Sequence, residues 1–589
     1  MENSPLENYI HHVYSLLSKN TEGFLMQNAY MLSTTRHNCA AFRNELERCS
    51  IGLHFLPNES SSLETDTLYQ FIMGKDAEPI KMSLESIHEN LNDLFSKILT
   101  APFPLTLIDV IQKARTIFQE NLSIEAEKKL VSKGKSTNIK IFRVAEGGMI
   151  RTSGPEQPQP KRTYRITVTL RAGGEANPDI FISTSARIDN TKDFLQVMTW
   201  DKVSRVFNFY ARDKGTWIWV GNSQHALEPL TRGKSPFCGH VNGAPIMKEL
   251  ELPWSNWQSS LATLDDSILP PDSPLIKKYP FLDDKTEEGM ADDLEIFIKG
   301  GIDLWNTARI DRSLTNNELN LSHIDYFMRQ LLSTTTVNLI SSPHPGHEEE
   351  ETMVLPITFF LNTKIFDILG FDGPFNHIIT TRDFYKNCLK KYESTLESEG
   401  FKQLGDTYFP FLVPEPTQED KNLLQVLLNK KIISIRLAAC LLMVDFFNPI
   451  YSVSRESLLK YMPHELQRKT KEKDFSSLLE DKIIEAISLS QNAKISGTPE
   501  FEFLQNWNIA QDDDELRDLL NRRIIEYLNR VAFLANTEDG FDNYFLLAES
   551  RRYQFKQTPL FEFELTLANT NIQASSPLEM LADGTVRKK

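Results

Sequence analysis

Residues 163–170 read Thr-Tyr-Arg-Ile-Thr-Val-Thr-Leu, a strict alternation that sets Tyr164, Ile166, Val168 and Leu170 on one side and Arg165, Thr167 and Thr169 on the other. A period of two is the pattern of a strand with one face in a core and the other toward solvent. Similar β-branched and aromatic runs flank it: IKIFRV from Ile139, DIFISTSA from Asp179, FLQVMTW from Phe194 and VFNFYA from Val206, parted by Gly, Pro, Asn or Asp clusters. Together they predict a central antiparallel β domain over residues 137–262.

Outward from this block the period changes. Leu84, Ile87, Leu91, Leu94, Phe95 and Ile98 form a stripe at helical spacing, and Leu107, Ile108, Ile111, Ala114 and Phe118 form another, so residues 1–136 read as a helical region. The Pro- and Asp-rich run from Leu264 opens a mixed linker and helical region, 263–355, and a mainly helical domain, 356–572, follows. Its last long helix starts at Asp512-Asp513-Asp514-Glu515, where carboxylates favour a helix N-terminus. Residues 573–589 read as a disordered tail, and the expected fold class is α+β.

With 589 residues, 40% hydrophobic and 24% charged, the chain has material for several cores. A net charge of -16 without a basic, aromatic-interleaved patch argues against nucleic acid as a partner. The five cysteines are too scattered for a disulfide framework, and the N-terminus lacks the basic and apolar blocks of an export signal, so a cytoplasmic location is expected. The apolar run Leu437–Val444 is far short of a membrane span.

Several chemical signatures fail on inspection. Gly134-Lys135-Ser136 and Gly233-Lys234-Ser235 mimic a phosphate loop, but Lys129 and Glu228 stand where the first glycine must be. There is no Gly-x-Ser-x-Gly, no His-Glu-x-x-His and no Cys-x-x-Cys. His344 and His347, followed by four glutamates, read as an exposed acidic loop before they read as metal ligands.

The densest chemistry lies between Trp200 and Trp257, which holds five of the seven tryptophans. Here Trp217, Trp219, Trp254 and Trp257 are candidate walls of an aromatic pocket, His240 a candidate base or metal ligand, and Cys238, Lys248 and Glu249 candidate polar contacts. The competing reading makes the same tryptophans plain core.

The run from Gly233 to Trp257, with His240-Val-Asn-Gly243, Met247-Lys-Glu-Leu250 and Pro253-Trp-Ser-Asn-Trp257, resembles a segment of uncharacterised bacterial proteins. Some of them carry a c-type haem motif at this point. The resemblance extends to Leu361-Asn362, to Phe409-Pro-Phe-Leu-Val-Pro-Glu-Pro416, to Leu442-Met-Val-Asp-Phe446 and to Asn448-Pro449. It implies an iron ligand at His240 only. Pro236 and Gly239 occupy the places of the two cysteines that would attach the porphyrin, so the resemblance implies a lost or altered haem site, with haem or another metal at His240 bound, if at all, without covalent attachment.

Three functions are compatible with these residues. The chain is a binding or redox-type protein with an aromatic pocket around His240 that takes a small molecule; or it is a non-catalytic protein that docks a protein partner; or it is a hydrolase or transferase with a site assembled across domains.

Overall fold

The computed structural model describes residues 63–119, 139–146, 163–171, 177–185, 188–213, 215–234, 237, 240–245, 286–335, 351–371, 373, 375, 377–398, 401–404, 417–557, 569–573 and 577–589. The fold is α+β, with a large antiparallel-rich sheet followed by a mainly helical C-terminal part.

Nine strands build the sheet: β1 (Leu68–Gln70), β2 (Ile80–Lys81), β3 (Ile139–Glu146), β4 (Thr163–Leu170), β5 (Ile180–Ser185), β6 (Leu195–Asp201), β7 (Val206–Asp213), β8 (Thr216–Asn222) and β9 (Thr286–Met290). Their order is β2-β1-β8-β7-β6-β5-β4-β3-β9. The meander β3 to β8 is antiparallel throughout, and from β5 to β8 its strands follow one another through short connections. Strand β1 adds parallel to β8, and β9 adds parallel to β3. The sheet therefore recruits strands from both sides of the 137–262 span, closing edges that the meander would leave open.

Both faces are covered. On the first, helices α1 (Leu84–Asn90), α2 (Leu94–Ile98) and α3 (Leu107–Gln119) precede β3, and Phe95, Ile98, Val110, Ile111 and Ala114 are completely buried. The stripe from Leu84 to Ile98 is two short helices, not one. Asp93 accepts the Ser96 amide at 2.8 Å as N-cap of α2, and the Asn92 amide donates to Asp201 Oδ2 at 2.8 Å.

The second face is crossed by α4 (Ala291–Ser313). Phe297 of α4 meets Phe142 edge-on at 6.1 Å, and a Cβ added to Gly301 would sit 2.7 Å from Pro245 Cγ. Glycine is what lets the helix pass this close. This cover overturns the expected solvent side of β4, because Thr169 is only 2% exposed.

Helix α4 also joins two cores. Its Leu294, Phe297, Ile298, Ile302, Trp305 and Ala308 belong to the sheet's core, while Ile310 belongs to that of the helical part. The second core is built by α5 (Ile324–Leu332), α6 (Thr363–Ile368), α7 (Arg382–Lys391), α8 (Gln418–Asn429), α9 (Ile435–Leu442), α11 (Phe475–Ser488), α12 (Pro499–Asn508), α13 (Asp513–Ala535) and α14 (Glu538–Gln557), with the short α10 (Val453–Glu456) following α9. Helix α13 begins as its carboxylates predict, with Asp512 Oδ1 accepting the Asp514 and Glu515 amides.

Residues 577–589 correct the expected disordered tail. Leu578–Met580 and Val586–Lys588 form a hairpin whose Met580 is fully buried. Asn448 holds Met580 at both backbone groups, 2.9 Å each, and Tyr544 donates its hydroxyl to Gly584 O at 2.9 Å. Composition hid this, because the anchors lie 40 to 132 positions away in the chain.

Candidate functional site

Among the expected site residues, the two described tryptophans are core. Trp217 is completely buried, edge-on to Phe95 at 4.8 Å, and donates Nε1 to Pro104 O at 2.8 Å. Trp219 is 6% exposed and donates Nε1 to Asn208 Oδ1 at 3.1 Å. The same Asn208, with Tyr210, donates to Asp93 on the α1–α3 side of the sheet.

His240 lies on the other side. Its ring packs against Phe209 at 5.2 Å, and Phe209 also meets Phe237 edge-on at 5.5 Å. Alternation along β7 places Phe209 opposite in direction to Asn208 and Tyr210, so Trp217 and Trp219 do not wall a pocket around His240. Cys238, Lys248, Glu249, Trp254 and Trp257 lie outside the described residues, as do His344 and His347.

The turn 240–245 does have a function in the architecture, centred on Asn242. Gly243 has φ +78 and lies so close to Ser223 that an added Cβ would sit 2.5 Å from its carbonyl oxygen. Ser223 donates its hydroxyl to Gly243 O at 2.7 Å, the Gly243 amide donates to His240 O at 2.8 Å, and His240 Nδ1 pairs with Ala244 O at 2.8 Å. Pinned in this way, the turn points Asn242, 1% exposed, at the helical part.

There Asn242 Nδ2 donates to Glu419 Oε1 at 2.7 Å and to Thr335 Oγ1 at 3.0 Å, while Asn242 O accepts Trp305 Nε1 at 2.8 Å. One residue thus ties the sheet, α4 and the first turn of α8. Along α4, Asn306 donates to Asn422 Oδ1 at 2.8 Å. Arg309 lies between the rings of Trp305 and Phe327 and donates to Gln330 Oε1 at 2.5 Å, and Gln330 donates to Asp420 Oδ1 at 2.8 Å. Burial lowers the Arg309 guanidinium to about 10, opposed by Glu419 and Asp420.

Gln330 and Asp420 also line a cavity of about 50 Å³, together with Ser333, Thr334, Asn362 and Arg455. It has room for a few ordered waters or a polar group of similar size. Its floor is the turn after α9. Asp445, at φ +51, accepts the Ser452 hydroxyl at 2.5 Å and Asn448 Nδ2 at 2.7 Å. Arg455 donates to the carbonyls of Val444, Asp445, Asn448 and Pro449 between 3.1 and 3.4 Å. Burial raises Asp445 and lowers Arg455, with each partly offsetting the other.

Segments far apart in the chain therefore meet in one place: the turn at Asn242, Asn362 before α6, Glu419 and Asp420 of α8, and the turn Asp445–Arg455. Asn242, Asn362 and Asp445 fall inside runs the sequence had singled out. Arg309, Gln330, Glu419, Asp420 and Arg455 carry no local signature, since polar residues inside helical patterns read as surface until a partner element buries them.

The chemistry on offer is hydrogen bonding and charge. The described thiols, Cys388 and Cys440, are each pushed up to about 12 by burial, which removes them as nucleophiles at neutral pH. Among the described residues no group of three His, Cys, Asp or Glu side chains could hold a metal ion, and no helix is long and apolar enough to cross a membrane. Covalent haem does not fit, because positions 236 and 239 are Pro and Gly. No family model, no curated protein and no solved structure matches the chain.

Proposed function

We propose that the chain is a binding protein whose ligand, a small polar molecule, is held in the cavity inside the helical part, next to its junction with the sheet. What supports this reading is the convergence of Asn362, Asp420 and Arg455 on one partly polar cavity, beside the junction that Asn242 closes. In ligand sites a few convergent polar groups fix the orientation of what is bound. Arg455 offers a positive edge and Asp420 a negative one, which suits a small neutral or zwitterionic molecule with both donors and acceptors.

The test is a ligand-observed NMR screen of small polar fragments against the wild type and a Ser333→Leu variant, whose larger side chain fills the cavity. Fragments that bind the wild type and are lost from the variant carry the reading. Equal binding by both proteins, or no binding by either, moves the weight to a protein that docks a partner.

A further inference from the structure

Two histidines outside the junction are arranged as a pair. His323 stands at the N-cap of α5 with its backbone in the left-handed region, φ 60 and ψ 28, and its side chain makes no capping bond. A strained non-glycine residue of this kind persists only where its surroundings hold it. They do so here: Ser322 pairs with Glu465 in a small antiparallel ladder, and the Ile324 amide donates to His464 O at 3.2 Å. The two backbones fix the two imidazoles side by side, both exposed, with ring centroids 5.2 Å apart and planes at 85°.

That separation has a chemical meaning. With Zn–N about 2.0–2.1 Å and a ring centre about 1.1 Å beyond the nitrogen, each centroid lies about 3.2 Å from the ion, and a tetrahedral angle then separates two centroids by about 5.2 Å. His464 is also oriented as metal-bound histidines are. Its Nδ1 lies 2.8 Å from Asp325 Oδ1, so Nδ1–H donates to the carboxylate and Nε2 keeps the free lone pair. Tyr326 stacks on His323 at 5.4 Å, and Arg232 lies over the Tyr326 ring at 5.6 Å, which closes that side of the pair.

We propose that His323 and His464 bind a divalent transition-metal ion, Zn2+ first among them, through one nitrogen each, with Asp325 orienting His464 and water filling the remaining positions. The site supplies two protein ligands, not three, and so leaves positions open for a further ligand. The competing arrangement is an edge-to-face pair of rings with no ion, which the same distance permits.

Isothermal titration of ZnCl2 into the full chain, stripped of metal and held at pH 7.5 in a non-coordinating buffer, separates the two. The proposal expects a saturable site that is weakened at least tenfold by His323→Ala and by His464→Ala separately. Asp325→Asn should weaken it about tenfold, the usual effect of losing an orienting partner. His88→Ala, on an exposed histidine of α1, should leave it unchanged. Because both imidazoles are exposed, the alanine variants should keep the wild-type circular dichroism spectrum. No saturable heat from the wild type, or wild-type binding retained by either His323→Ala or His464→Ala, overturns the proposal.

Discussion

Two buried polar networks sit on opposite faces of the same sheet and are put to different uses. On the α1–α3 face, Asp93 is fully buried and accepts from Tyr210 at 2.7 Å, Asn208 at 2.9 Å and the Ser96 amide at 2.8 Å. Every partner belongs to one core, and the network fastens α2 to the strands. On the α4 face, Asn242 reaches out of its core to Glu419 and Thr335, and the network continues through Arg309, Gln330 and Asp420 to a cavity. Equal burial does not mean equal role: a network closed within one core holds the fold, while one that spans two cores and runs to a cavity in the second links the contents of that cavity to the sheet.

The largest test of this contrast is Trp217→Ala. Removing an indole from the closed face should cost about 3–5 kcal/mol of stability in urea unfolding, and should leave fragment binding at the cavity unchanged under conditions where the variant stays folded. Loss of binding in a folded Trp217→Ala protein would erase the distinction between the faces.

Next in size is a pH effect with one contributor in each core. Burial raises Asp93 to about 6 and Glu502 to about 7, in both cases against hydrogen bonds that pull the other way. The folded protein holds these protons more tightly than the unfolded chain, so the stability that these two groups contribute is present at low pH and is lost as pH rises. The Asp93 share is lost between about pH 4 and 6 and the Glu502 share between about pH 4.5 and 7, each on the order of 2–3 kcal/mol. Urea unfolding across pH 4–8 should show the decline flattened at its acidic end by Asp93→Asn, and toward neutral pH by Glu502→Gln.

Asn242→Ala comes third, at about 1–3 kcal/mol, the cost of leaving buried partners such as Glu419 unpaired. Hydrogen exchange should rise at α4 and the start of α8 while the amides of β4–β7 stay protected. Uniform loss of protection would mean that the two cores unfold as one. The smallest effect is expected at Asp311, which accepts Lys430 at 2.5 Å and Arg205 at 2.9 Å and bridges the cores near the surface. Asp311→Asn should cost no more than about 1 kcal/mol, and less as salt is raised.

The sheet was legible in the sequence because its strands carry long runs of period two, and the start of α13 because three carboxylates mark it. The aromatic density around His240 was legible as density alone. Which side of the sheet each ring faces depends on register, and only the ladders show that Trp219 pairs with Tyr210 while His240 packs on Phe209. Within the HVNG run the residue that makes the long-range contacts is Asn242, and nothing local separates it from its neighbours.

By itself, then, the sequence determined the α+β class, the strand-rich centre and the helical C-terminal part, because each follows from local periodicity. Tertiary structure alone decided that β1 and β9 complete the sheet, that residues 577–589 dock as a hairpin, that Trp217 and Trp219 are core, and that Asn242, Arg309, Glu419, Asp420 and Arg455 share a junction. Those facts rest on contacts between residues tens to hundreds of positions apart, and the pattern of polar and apolar residues says which side chains are to be buried but not against what.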